Sequence, residues 1–154
     1  MFLMVEQLPE IKPSKIRSYA MGILAGREYL RSQLTAKLEI KFDNSSLIPN
    51  VIDQLVVENL QSDLRFIEAF IRSRIVKGQG CTRIRLDLKS RGAEPALIDK
   101  LLVEADVDWF ELAKRVAQQK FGNHSQVDAK EKAKRMRFLQ HRGFSFDQIN
   151  DALT

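Results

Sequence analysis

Two imidazoles, His124 and His141, one thiol, Cys81, and a few acidic pairs set the limits of the acid–base, nucleophilic or metal chemistry this chain could run. A nucleophile needs a base within hydrogen-bond reach. His124 falls in the polar stretch Gly122-Asn123-His124-Ser125 and His141 at a basic helix end beside Arg142, so both read as solvated side chains. Asp106 and Asp108 could hold a cation in principle, but standing just before Trp109 they have the type and place of helix N-caps. Gly78-Gln79-Gly80 resembles a piece of a phosphate loop, yet no GxxxxGK motif follows a strand, and a helix stop accounts for the glycines. The expectation is a chain without catalytic residues, metal ligands or cofactor.

The cations carry more. Residues 1–62 hold 7 basic and 7 acidic side chains, 63–92 hold 8 against 3, 93–113 hold 1 against 6, and 114–154 hold 9 against 4. Alternating blocks point to charged partners met by particular elements rather than by the whole surface. The candidates are Arg72 and Arg74 at the end of one helix, Arg83, Arg85 and Lys89 on the next, and Lys130, Lys134, Arg135, Arg137 and Arg142 near the C-terminus. Lys130, Lys134 and Arg137 recur at i, i+4, i+7, which puts three like charges on one helix face. Such charges repel by a few tenths of a kcal/mol per pair, so either a neutralising partner or a solvated face kept for solubility explains them. Phe66, Phe70 and Trp109 fall in apolar stripes instead of interleaving with the cations, which disfavours base stacking on a single strand.

Helices must position these residues. In 154 residues, 44% hydrophobic and 29% charged, seven Gly and four Pro leave little material for the turns of a many-stranded sandwich. One cysteine excludes an internal disulfide framework and suits a reducing compartment, and no apolar run approaches a signal-peptide core or a membrane span. A cytoplasmic, monomeric protein with no membrane contact is expected.

Periodicity predicts nine short helices and no strand. After a leader ending at Pro13, the first runs over Ser14 to Leu24 with Ser14 as N-cap, and Gly26 breaks it. The second runs from Arg27 to Lys41 around Leu30, Leu34 and Leu38; the third has Pro49 in its first turn and buries Val51, Ile52, Leu55 and Val56. A fourth starts at Ser62 or Asp63 and carries Leu64, Ile67, Phe70 and Ile71; Ile84 and Leu88 mark a fifth, and Pro95 opens a sixth. The seventh carries Trp109, Leu112, Val116 and Phe121, the eighth spans Asp128 to Arg142, and the ninth buries Phe146, Ile149 and Leu153. Leu88-Lys89-Ser90-Arg91-Gly92 is echoed 51 positions later by Leu139-Gln140-His141-Arg142-Gly143, and Val51-Ile52-Asp53-Gln54-Leu55 is echoed 46 positions later by Leu97-Ile98-Asp99-Lys100-Leu101. A period near 50 residues describes an all-α, elongated tandem array of three three-helix repeats: 14–60, 61–105 and 106–154 after a leader 1–13.

Three blocks carry a resemblance. Tyr19-Ala20, Leu24 through Leu34 and Lys37-Leu38 resemble the opening motif of the RecX regulatory proteins; Asp63 through Arg74 with Gly78, Gly80, Arg83-Ile84 and Arg91-Gly92 resemble that family's central block; Arg135, Phe138-Leu139, Arg142-Gly143-Phe144 and Ile149 resemble its third. Leu30 departs from the small hydroxyl residue often found there, and residues 42–48 lengthen the first repeat. The resemblance implies a modulator that lodges in the groove of the RecA recombinase filament on DNA. It would inhibit ATPase, strand exchange and co-protease activity, and so modulate recombination, DNA repair and the SOS response, with weak basic-face contacts to DNA. The alternative from the residues alone is a helical DNA- or RNA-binding module.

Overall fold

A computed structural model describes residues 10–122 and 127–154, and His124 lies outside them. Among the described residues the chain forms nine α-helices and no strand: α1 (Pro13–Gly26), α2 (Arg31–Lys41), α3 (Ile48–Val57), α4 (Asp63–Val76), α5 (Cys81–Ser90), α6 (Pro95–Glu104), α7 (Trp109–Phe121), α8 (Ala129–His141) and α9 (Phe146–Ala152). They fall into two compact units, residues 1–66 and 67–154.

The first unit closes around Ile16 and Ala20 of α1, Leu34 and Leu38 of α2, and Ile48, Val51, Ile52 and Leu55 of α3. These recur at helical spacing, and each large aliphatic so buried contributes about 1.5–3 kcal/mol relative to exposure. Phe42 joins them, meeting Tyr19 edge to face at 5.6 Å between ring centroids.

Two helix starts differ from the sequence expectation. Pro13 occupies the first turn of α1, Lys12 precedes it, and Ser14 lies inside the helix instead of capping it. Proline's fixed φ and missing N–H suit that first turn. α2 begins at Arg31 rather than Arg27, because a tertiary network holds the chain extended from Arg27 to Leu30. The Arg31 N–H donates to Asp63 Oδ1 at 2.8 Å, the buried Gln61 amide donates to Tyr29 O at 3.1 Å and Asp63 Oδ1 at 2.9 Å, and the Leu30 N–H donates to Gln33 Oε1. Leu30 is still buried, at the helix entry. Leu64, Val56 and Phe146, expected inside, are 40%, 39% and 68% exposed.

In the second unit Ile84 and Leu88 of α5 and Ile98, Leu101 and Leu102 of α6 are buried. A further core joins Leu112, Ala113, Val116 and Ala117 of α7 to Leu139 of α8, Phe144 and Ile149. Asp108, rather than Asp106, caps α7 by accepting from the Glu111 N–H at 3.0 Å; Asp128 caps α8 through Glu131 at 2.8 Å, and Ser145 and Gln148 form a reciprocal box at α9. Asp108→Ala or Asp128→Ala should each cost about 1 kcal/mol in urea unfolding, since each strands a helix N–H that only the cap satisfies.

The glycine loop after α4 meets the turn between α8 and α9. The first amides of a helix have no acceptor within it. Those of α5 find theirs outside: Gly80 N donates to Arg142 O at 2.7 Å and Thr82 N to Gly143 O at 3.2 Å. The Arg142 guanidinium returns across the joint to Lys77 O at 2.8 Å, and Arg83 Nη1 reaches His141 O at 3.3 Å. Gly143 adopts φ +97°, a left-handed value that glycine takes without strain.

Candidate partner-binding surface

All ten candidate cations lie in the second unit, and the structure sorts them into two kinds. Five are tied into the fold. Arg74 points at Gln79 Oε1 (3.4 Å) and Asp87 Oδ2 (3.8 Å), with its guanidinium 4.5 Å from the Phe70 ring centroid. Arg83 shares Asp87 at 3.3 Å. Arg85 pairs with Asp99 across α5 and α6 at 2.9 Å, and that hydrogen bond raises its pKa further above the ordinary arginine value, fixing its charge. Arg142 spans the glycine joint and lies 5.1 Å from the Phe138 ring. Arg135 is buried, bonded to Glu131 Oε1 at 3.2 Å and set 4.9 Å from the Phe121 ring.

The other five, Arg72, Lys89, Lys130, Lys134 and Arg137, are exposed, and among the described residues none of them makes an ion pair or a hydrogen bond. Their distribution follows from the helix period. α8 has one acid, Glu131, which is half-buried and taken up by Arg135, so among the described residues Lys130, Lys134 and Arg137 face water with no counter-charge. Exposed pairs contribute little to stability, so these cations can meet a partner without unfolding anything.

Arg91, a carrier of the family resemblance left out of the candidate cations, sets its guanidinium 4.9 Å from the Phe70 ring that Arg74 also meets, and donates to Asp87 O at 3.2 Å. Arg74 and Arg83 thus meet the Asp87 carboxylate and Arg91 its backbone carbonyl, a convergence visible only once α4 and α5 are folded together. Sequence reasoning missed Leu86. It stands two residues from each buried neighbour, Ile84 and Leu88, a phase that places it outward, and it is 63% exposed. His141 is exposed, and among the described residues no group of three or more His, Cys, Asp or Glu side chains gathers in metal-binding reach. No helix among them is long and apolar enough to cross a membrane.

Comparison with known proteins agrees across sequence and structure. Residues 62–102 match the family model for the second three-helix domain of RecX, and residues 106–153 match that for the third. The chain is 40% identical over 142 residues to the regulatory protein RecX of Pseudomonas syringae pv. tomato, covering 92% of each chain. It is 37% identical over 137 residues to that of Halorhodospira halophila, covering 89% of this chain and 85% of the relative. The crystal structure of RecX from Lactobacillus salivarius superposes with a TM-score of 0.80 at 22% identity, over 92% of this chain and 94% of that one, which establishes the shared fold.

Proposed function

The chain belongs to the RecX family of regulatory proteins, and on that premise we propose that it binds RecA recombinase filaments on DNA and inhibits their ATPase, strand exchange and co-protease activities. It does so as a cytoplasmic monomer without catalysis of its own, through three-helix repeats at 14–60, 61–105 and 106–154, and thereby modulates recombination, repair and the SOS response. The observation that supports this reading best is the set of cations on α4, α5 and α8 that have no partner among the described residues. A filament of charged protomers around a polyanion offers matching potential, and such complementarity governs association rate and register. A tandem array offers several weak contacts that act as one when neighbouring protomers hold still.

The test is the ATPase of a RecA filament on single-stranded DNA, titrated with this protein. Half-inhibition should fall below one copy per recombinase protomer, and an unaffected ATPase at excess protein would overturn the reading. The same cations allow a second reading, a plain nucleic-acid module resting on α8. That module would bind bare DNA as tightly as it binds the filament. Its log affinity would fall with log salt at a slope near −0.9 per phosphate neutralised, about −3 for three cations.

A further inference from the structure

The middle helices of the three repeats bury residues in pairs four apart: Leu34 and Leu38 in α2, Ile84 and Leu88 in α5, Arg135 and Leu139 in α8. An arginine therefore stands where the other two repeats place a fully buried aliphatic, and only 8% of it is exposed. Burying a guanidinium is costly unless its donors are satisfied. Its Nε is bonded to Glu131 and its plane lies near Phe121, but among the described residues nothing accepts from its two terminal nitrogens. No described side-chain nitrogen is sealed from solvent without a partner, so those nitrogens open outward.

Arg135 lines a cleft of about 510 Å³ together with Lys132 and Lys114. Lys114 is engaged by Asp151 at 3.4 Å, while Lys132 is exposed and has no acid against it among the described residues. The walls mix Phe121 and Leu153 with two acids, Glu111 and Asp151.

We propose that this cleft receives a carboxylate side chain of an acidic peptide segment in a protein partner, its oxygens on the terminal nitrogens of Arg135 and on Lys132. The planar fork of Arg135 matches a carboxylate bidentately, and the apolar walls suit the aliphatic stem of a glutamate. Glu111 and Asp151 repel a phosphate chain but leave room for one negative charge, so charge complementarity selects an acidic peptide over nucleic acid. The site stands apart from the filament-facing cations Lys130, Lys134 and Arg137, none of which lines it.

The experiment is a titration of the full chain, followed by nitrogen–proton NMR, with an acetylated, amidated peptide that carries a single glutamate among leucine and serine residues. Saturable shifts should appear at the Arg135 side chain and at the amides of Lys132, Ala117 and Leu153. The peptide with glutamine in place of glutamate should bind at least about tenfold more weakly. Arg135→Leu restores the residue type found at Leu34 and Ile84, so the fold should hold while binding falls about tenfold or more. Lys132→Glu, on an exposed position, should weaken the glutamate peptide several-fold and covers the case in which the leucine variant does not fold. Equal affinity for the glutamine peptide, undiminished binding by a folded Arg135→Leu, undiminished binding by Lys132→Glu, or a preference for inorganic phosphate over the peptide would each overturn the proposal.

Discussion

Gly143→Ala is expected to destabilise the second unit by roughly 2–5 kcal/mol, from about 1–2 for a left-handed backbone in an L-residue and about 1–3 for overpacking. A methyl group there would land on Arg83 Cβ and against its backbone nitrogen. Neither can retreat, because Arg83 is held in α5 by Asp87 and by His141 O. Gly80→Ala isolates the second contribution: Gly80 has φ −81°, which alanine accepts, but its methyl would meet Gly143 O and the Phe144 nitrogen at the same joint. Both substitutions break one contact, so the double variant should be less destabilised than the two single effects added. Gly22, inside α1 with open space where its Cβ would be, is the control, and Gly22→Ala should gain about 0.5–1 kcal/mol. Urea unfolding of the four variants reads all of this, and a neutral Gly143→Ala would mean that the α5 amides are not held by the α8–α9 turn.

That joint shows why some of the molecule could be read from the chain and some could not. The buried pairs Ile84–Leu88 and Ile98–Leu101 repeat at helical spacing, and period alone finds them, because burial on a helix follows a fixed angular step. The start of α2 escaped because Arg27 to Leu30 carry helix-tolerant side chains, and what holds them extended is Asp63 and Gln61, some thirty residues downstream. Val56 and Phe146 were misplaced because an apolar residue at the edge of a stripe is buried only if a neighbouring element reaches it. Among the candidate contacts, spacing grouped Lys130, Lys134 and Arg137 on one face. It could not separate Arg135 and Arg142 from them, since a cation's role depends on whether Phe121, Glu131 or a loop carbonyl lies within reach. Gly80 and Gly143 were visible as carriers of a family resemblance, and their reason, two backbones too close for a Cβ, is a tertiary fact.

Reversing Lys130, Lys134 and Arg137 together to glutamate should raise the protein concentration needed for half-inhibition of a RecA filament by up to about a hundredfold. Each lost interface charge is taken at roughly 1 kcal/mol, and each 1.4 kcal/mol is tenfold. The fold should survive, because all three side chains are exposed and the residues that anchor α8, Arg135 and Leu139, are untouched. Repulsion within the row is not increased, since three like charges at i, i+4, i+7 are exchanged for three of the other sign. Part of the loss should lie in the association rate, and raising salt should narrow the gap between parent and variant, because screening weakens attraction in one and repulsion in the other. The measurement is filament ATPase against protein concentration at two salt concentrations, with helicity checked on both proteins. Equal inhibition by a folded triple variant would exclude this face of α8 as the contact and transfer the role to Arg72 and Lys89, the remaining two of the ten candidate cations without an internal partner among the described residues.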